Sequence, residues 1–193
     1  MSQERAILQA LQSELPLSPH LIVHNEGYME KMQFHEKVLL QAENRKMTYQ
    51  EAMNLRFEEE VGISYGEYRS YKDSSGIRHV HYYVSSEIQD VYPFNLFVQA
   101  HEETHLLKPE FTNRYDLLCS QLASLGLDTA TFADLTTEDE IAHLGGLIAL
   151  HHHKIHIDGE QDTSWHNFIN QARHLKRDAE FEKSLEWFLK NKK

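Results

Sequence analysis

One short segment of the chain carries residues with the types and spacing of a metal site. Residues 97–107, Phe-Val-Gln-Ala-His-Glu-Glu-Thr-His-Leu-Leu, contain the pattern H-E-x-x-H. On a helix, His101 and His105 lie on one face, one turn apart, where two imidazoles can bind one Zn²⁺. Glu102 is then a candidate general base for a water molecule that the metal activates. The pattern therefore predicts zinc-dependent hydrolysis.

A third ligand must come from elsewhere, because a catalytic zinc normally has three protein ligands and one open position for water. The best segment is 138–149, Glu-Asp-Glu-Ile-Ala-His-Leu-Gly-Gly-Leu-Ile-Ala. It predicts a helix with an acidic first turn, and the small pair Gly145–Gly146 would let a neighbouring helix approach closely. We expect Glu140, rather than Glu138 or Asp139, to be the third ligand.

Glu140 also has a purely structural interpretation. Thr137-x-x-Glu140 has the form of a capping box, in which the glutamate side chain satisfies the backbone at a helix N-terminus. Both roles for Glu140 stay open at the level of the sequence.

The elements around these segments are predicted to be mostly helical. Pro93 precedes the motif helix and Pro109 ends it. Further helices are predicted over residues 3–15, 27–45, 48–60, 113–125 and 137–153, and the C-terminal region 164–190 is amphipathic.

Two short segments instead have the composition of β-strands. Residues 65–71 and 77–85 are rich in Tyr, Val and Ile and flank the turn sequence Lys-Asp-Ser-Ser-Gly, which predicts a β-hairpin. His79, His81 and Tyr83 share one face of the second strand, and a solvated polar face is a commoner explanation for such a pattern than a cleft.

Together these elements predict an α+β fold. We expect one mostly helical domain over residues 1–193, with a small antiparallel sheet packed beside the motif helix. Its parts are N-terminal helices in 1–62, the hairpin and metal-site helices in 63–153, and a C-terminal helix in 160–193.

Composition limits the partners and the compartment. The formal net charge of -11 argues against non-specific binding to nucleic-acid backbones. The single cysteine, Cys119, rules out a disulfide within the chain and favours the cytoplasm. The N-terminus has no apolar run of the signal-peptide type, and the longest apolar run, Leu144–Leu150, is too short to span a bilayer. We therefore expect a cytoplasmic protein without a membrane span, whose oligomeric state stays open.

The region from about residue 80 to 150 resembles the ImmA/IrrE family of metallo-endopeptidases. Members of that family show a strand, a short polar link and a helix with an A-H-E-x-x-H-x-L-L core, which the strand, link and run Ala-His-Glu-Glu-Thr-His-Leu-Leu of this chain resemble, and the run 140–149 looks like the family's downstream helix. It implies a zincin-like fold with a zinc ion held by His101, His105 and Glu140, and with Glu102 as base. Where the family usually has glycine before the second histidine, this chain has Thr104.

The same resemblance implies a substrate class. Known targets of the family are helix-turn-helix repressors, so a specific, regulatory protein or peptide substrate is expected. An oxyanion formed from the scissile carbonyl usually needs a further hydrogen-bond donor. His143, one turn from Glu140, and Tyr82 or Tyr83 on the adjoining strand are the candidates for it.

Two other functions fit parts of the pattern. Glu102-x-x-His105 and Glu140-x-x-His143 are paired E-x-x-H motifs, as in di-iron carboxylate oxidases with a four-helix bundle, although a β-hairpin does not belong in that bundle. Alternatively, the chain is a non-catalytic, metal-binding regulatory module.

Overall fold

The described part of the chain combines helices with one small sheet, which confirms the α+β class. The structure is a computed structural model, and it describes residues 20–47, 65–105, 123, 134–135, 137–153 and 179–191. The helices predicted over 3–15, 48–60 and 113–125, and the start of the amphipathic region at 164–178, lie outside the described residues.

The chain divides into two compact units. We call Pro16–Asp90 the sheet unit, and we call Met1–Leu15 together with Val91–Lys193 the helical unit. The hairpin belongs to the first unit and the H-E-x-x-H helix to the second. Packing of one beside the other within a single domain stays a prediction.

The sheet unit contains a three-stranded sheet and one helix. Its elements are β1 (Leu21–Met29), α1 (Lys31–Asn44), β2 (Gly66–Lys72), β3 (Arg78–Ser85) and a short 3-10 turn (Ser86–Ile88). β2 and β3 form the predicted antiparallel hairpin. β1 pairs with β3 in parallel, giving the strand order β1-β3-β2. The sheet is therefore mixed: the predicted antiparallel hairpin is confirmed, and β1 adds a parallel strand that the sequence prediction lacked.

Strand β1 is absent from the sequence prediction, which assigned residues 27–29 to the start of a helix. Its pairing with β3 shifts register between Asn25 and Tyr28, where Gly27 has a positive φ of 75°. The side-chain oxygen Oδ1 of Asn25 accepts a hydrogen bond from the Gly27 backbone N–H. This β-bulge interrupts the alternation that marks a strand in a sequence.

The core of the sheet unit lies between α1 and the sheet. Phe34, Val38 and Ala42 of α1 pack with Tyr71 and Tyr83 of the hairpin. The rings of Phe34 and Tyr83 have centroids 4.4 Å apart. Burial of these large apolar side chains is the main favourable contribution to the stability of the unit.

His79 and His81 of β3 are fully buried, so the predicted solvated face is wrong. Each has a carboxylate partner, as a buried polar side chain needs. Asp73 Oδ2 lies 3.0 Å from His79 Nε2, and Glu26 Oε1 lies 2.7 Å from His81 Nδ1. The hydrogen bond with His81 is the main cause that lowers the pKa of Glu26 to about 2. Burial is the main cause that lowers the pKa of the neighbouring His24 to about 4.

The described helices of the helical unit are α2 (Phe94–Thr104), α3 (Glu138–His152) and α4 (Ala179–Asn191). α3 begins with the predicted capping box, in which Thr137 Oγ1 accepts from Glu140 N and the Glu140 carboxylate accepts from Thr137 N. None of the described helices combines the length and the apolar character needed to cross a membrane.

The predicted close approach at Gly145–Gly146 is confirmed. A Cβ atom added at Gly145 would lie 1.8 Å from Oγ1 of Thr104, and one added at Gly146 would lie 2.5 Å from the ring of Phe97. Both neighbours belong to α2. The hydroxyl of Thr104 also donates to the backbone oxygen of Ala100, which fixes the side chain in place. The contact between α2 and α3 therefore depends on the absence of side chains at these two glycines.

This packing predicts a specific energetic coupling between positions 145 and 104. We expect Gly145→Ala to lower the free energy of unfolding by about 1–3 kcal/mol, because the new methyl group meets Thr104. In a Thr104→Gly background the same change should cost little or nothing, because the space is open and alanine favours helix. Chemical denaturation of the four proteins in a double-mutant cycle measures the coupling. An equal cost of Gly145→Ala in both backgrounds contradicts the proposed contact.

Candidate metal centre

The two histidines of the motif lie on adjacent turns at the end of α2. His101 is in the last turn, and His105 follows directly as the C-cap with helical angles, φ -57° and ψ -24°. Their Nε2 atoms are 3.1 Å apart. Two Zn–N bonds of normal length at a tetrahedral angle would place the nitrogens about 3.3 Å apart. The pair is therefore arranged to bind a single cation.

The carboxylate closest to completing this site is that of Asp139, in the first turn of α3. Its Oδ1 atom is 3.5 Å from His105 Nε2. Ligand atoms of His101, His105 and Asp139 all lie within 4.8 Å of one another. The side chain of Asp139 is 53% exposed, so one side of this group faces solvent.

Glu140, the expected third ligand, makes other contacts in the structure. Its buried carboxylate accepts from the backbone N–H of Thr137 at 3.2 Å and from Lys183 Nζ at 2.8 and 2.9 Å. Its backbone oxygen accepts from the Ser184 hydroxyl. Glu140 thus caps α3 and joins it to α4. The ligand role implied by the resemblance stays a prediction, and the geometry favours Asp139.

Glu138 contributes a contact that sequence reasoning missed. Its Oε1 atom lies 2.5 Å from Nδ1 of His105. A carboxylate accepts hydrogen bonds, so Nδ1 of His105 carries the proton and Nε2 carries the lone pair. Metal-binding histidines usually have such a carboxylate behind them, which fixes the tautomer and strengthens the ligand. The only sequence signal was the acidic run 138–140, which does not say which carboxylate lies where.

His101 has a different environment. Burial is the main cause that holds its pKa well below the usual value, and the neighbouring His143 and His105 lower it further. The ring is therefore neutral at neutral pH, as a metal ligand must be. Its Nδ1 atom is buried without a hydrogen-bond partner among the described residues. Among the described residues, His105 is therefore the one member of the pair whose Nδ1 atom is hydrogen-bonded to a carboxylate.

The two predicted catalytic residues are both buried close to this pair. Glu102 follows His101 on α2 and is therefore about 100° further round the helix. The ring of His143, on α3, lies 4.5 Å from that of His101 and packs against the rings of Phe97 and Phe181. The structure thus brings His143 to the metal-binding pair, whereas its role as a hydrogen-bond donor stays a prediction.

No protein family, curated protein or solved structure matches the chain. The resemblance to ImmA/IrrE peptidases therefore rests on the motif residues alone, and the case for a metal centre rests on the geometry of the site.

The structure separates the roles of Asp139 and Glu140 in a measurable way. We expect Asp139→Asn to lower the zinc content of the purified protein, because it removes a charged ligand. Glu140→Gln should keep zinc but lower the melting temperature, because Lys183 loses its charged partner. Atomic emission and thermal denaturation give the two readouts. Loss of zinc in Glu140→Gln with full retention in Asp139→Asn would return the ligand role to Glu140.

The contact between Glu138 and His105 predicts an effect on affinity. Glu138→Gln should weaken zinc binding about 10- to 100-fold, because an amide orients and polarises the imidazole less than a carboxylate does. Competition with a chromophoric chelator measures the dissociation constant. Glu186→Gln, an exposed glutamate of α4, is the control and should leave affinity unchanged. Equal affinities for the two variants would exclude Glu138 from the site.

Proposed function

We propose that this protein is a zinc-dependent metallo-endopeptidase that hydrolyses a peptide bond in a specific, regulatory protein. The observation that carries the proposal is the convergence of His101, His105 and Asp139, with the Glu138 carboxylate behind His105. Three protein ligands leave a fourth position for water, which is the ligand count of a catalytic zinc rather than of a structural one.

The donor set fits zinc. Two neutral imidazoles and one carboxylate are ligands that Zn²⁺ commonly takes in hydrolases. The neutral state of His101 and the lone pair on His105 Nε2 meet the requirement that ligands be deprotonated. The exposed Asp139 indicates the side from which a substrate reaches the site.

The residues around the site have the chemistry that peptide hydrolysis requires. Zinc, when bound, lowers the pKa of a water molecule and polarises the scissile carbonyl group. The carboxylate of Glu102 accepts a proton from the attacking water and passes it to the nitrogen of the leaving amine. His143, whose ring lies against His101, donates a hydrogen bond to the carbonyl oxygen as negative charge develops there.

The di-iron alternative has less support. It requires Glu140 as a metal ligand in the second E-x-x-H motif, and this carboxylate is bonded to Lys183 Nζ and to the backbone of the N-cap residue. For the location of the protein we propose the cytoplasm, on the argument of the single cysteine. The net charge of -11 supports a protein rather than a nucleic-acid partner.

Replacement of Glu102 tests catalysis apart from metal binding. We expect Glu102→Gln to keep zinc and to lower the rate of peptide cleavage by about 10²- to 10⁴-fold, because an amide cannot accept the proton. A mixed-sequence peptide library followed by mass spectrometry measures cleavage, and elemental analysis measures zinc.

Glu103→Gln is the matched control for this variant. Glu103 is the next residue of α2, is equally buried and accepts a hydrogen bond from Gln99. The Glu103→Gln variant should keep both bound zinc and peptidase activity. Cleavage by Glu102→Gln at the wild-type rate would exclude Glu102 as base, and zinc binding without any cleavage by the wild type would identify a non-catalytic metal module.

A further inference from the structure

Three histidines lie side by side on the face of the sheet that packs against α1. His24 comes from β1, and His79 and His81 come from β3. His24 and His81 are direct partners in the parallel register, and their rings are stacked with centroids 4.1 Å apart and planes 5° apart. The ring of Tyr71, on β2, stacks on the rings of both His79 and His81. We call His24, His79 and His81 the histidine stack.

Two rings of the histidine stack are bonded to carboxylates, and the third is not. Asp73 Oδ2 accepts from His79 Nε2 at 3.0 Å, and Glu26 Oε1 accepts from His81 Nδ1 at 2.7 Å. His24 instead has an imidazole as its partner among the described residues, because its Nε2 atom lies 3.0 Å from Nδ1 of His79. With Nε2 of a neutral His79 bound to Asp73, its Nδ1 carries a lone pair and His24 is the donor.

The contact between His24 and His79 limits how many protons the two rings can hold. A hydrogen bond between two imidazole nitrogens needs a proton on one and a lone pair on the other. When His79 alone takes up a proton, His24 changes its tautomer and accepts through Nε2. When both rings are protonated, two N–H groups face each other across this contact, and it breaks. The pair therefore keeps its contact with one added proton and loses it with two.

The charged groups around His24 do not compensate for a second proton. Glu26 attracts positive charge, but its carboxylate is already bonded to His81 and, through Oε2, to Lys37 Nζ of α1 at 2.5 Å. Arg45, which follows α1, repels a proton on His24, as do the two histidines of β3. Among the described residues, the surroundings of His24 are therefore arranged to keep its ring neutral.

The direction of the pKa shift agrees with this geometry. Burial, followed by repulsion from His81 and His79, lowers the pKa of His24 from its usual value of 6.5 to about 4. The unfolded chain therefore binds a proton at this residue at a higher pH than the folded chain does. The contribution of His24 to stability is present above about pH 6.5 and is lost as the pH falls towards 4.

Strand β1 is the element that depends on these contacts. It lies at an edge of the described sheet, and its register on β3 is interrupted by the bulge at Gly27. The side-chain hydrogen bonds from His24 and from Glu26 that join it to β3 both end on a histidine of the stack. Ile22 of β1 is already 40% exposed, whereas nearly all of β3 is buried. Loss of the histidine contacts therefore weakens the attachment of β1 first.

We propose that the histidine stack is a pH switch, which holds β1 on β3 at neutral pH and releases it in mildly acidic solution. The partly exposed ring of His24 turns out of the stack when it is protonated, because its charge is better solvated by water. The switch lies within the sheet unit and needs no metal. It is therefore independent of the proposed peptidase activity.

Hydrogen exchange of the full-length chain, with a metal chelator present, tests the switch. The amides of β1 are compared in wild type and His24→Gln, with each rate divided by the chemical exchange rate at the same pH. Glutamine keeps an N–H donor close to the position of Nε2 but cannot take up a proton. Between pH 6.5 and 4.5, above the range in which Glu26 titrates, we expect protection in wild type to fall by about three- to tenfold more per pH unit than in the variant.

His20→Gln is the matched control, because it makes the same substitution at an exposed histidine directly before β1. It should show the pH dependence of wild type. The same pH dependence in His24→Gln as in wild type overturns the proposal. Circular dichroism confirms that each variant is folded. If His24→Gln does not fold, His24→Phe repeats the test, because phenylalanine keeps a ring on His81 and does not titrate.

Discussion

The close contact between α2 and α3 is the constraint on which the candidate metal centre depends. The two glycines of α3 allow Thr104 and Phe97 of α2 to occupy the space that side chains would take. At this separation the first turn of α3 lies within reach of His105, which directly follows α2 as its C-cap.

The three carboxylates in the first turn of α3 have different roles. Glu138 bonds to His105 Nδ1, Asp139 approaches His105 Nε2, and Glu140 caps the helix and pairs with Lys183 of α4. All three carboxylates also lie at the positive end of the helix dipole, which interacts favourably with negative charge. Consecutive residues point about 100° apart on a helix, so Glu138 and Asp139 reach His105 while only one of the three carboxylates faces α4. The rotation of α3 decides which, and Lys183 holds Glu140 on the side of α4.

Local patterns in the sequence predicted the hairpin, the motif helix and the capping box of α3, because each depends on residues close together in the chain. Strand β1 was missed because its partner β3 is distant in sequence and its bulge at Gly27 breaks the alternation. The histidine pair was found because one helix carries both residues. The choice among three adjacent carboxylates depends on how two helices are rotated against each other, which no local pattern encodes. The contact from Glu138 was missed for the same reason.

The two histidine clusters obey one electrostatic rule, although only one has a sequence signature. In each, a carboxylate bonds one nitrogen of a buried imidazole and leaves the lone pair on the other, as Glu138 does for His105 and Glu26 does for His81. On a helix the four-residue spacing makes such a pair visible. Across a parallel strand pair the same chemistry leaves no pattern in the sequence, because the register of β1 on β3, and not the spacing along the chain, brings the residues together.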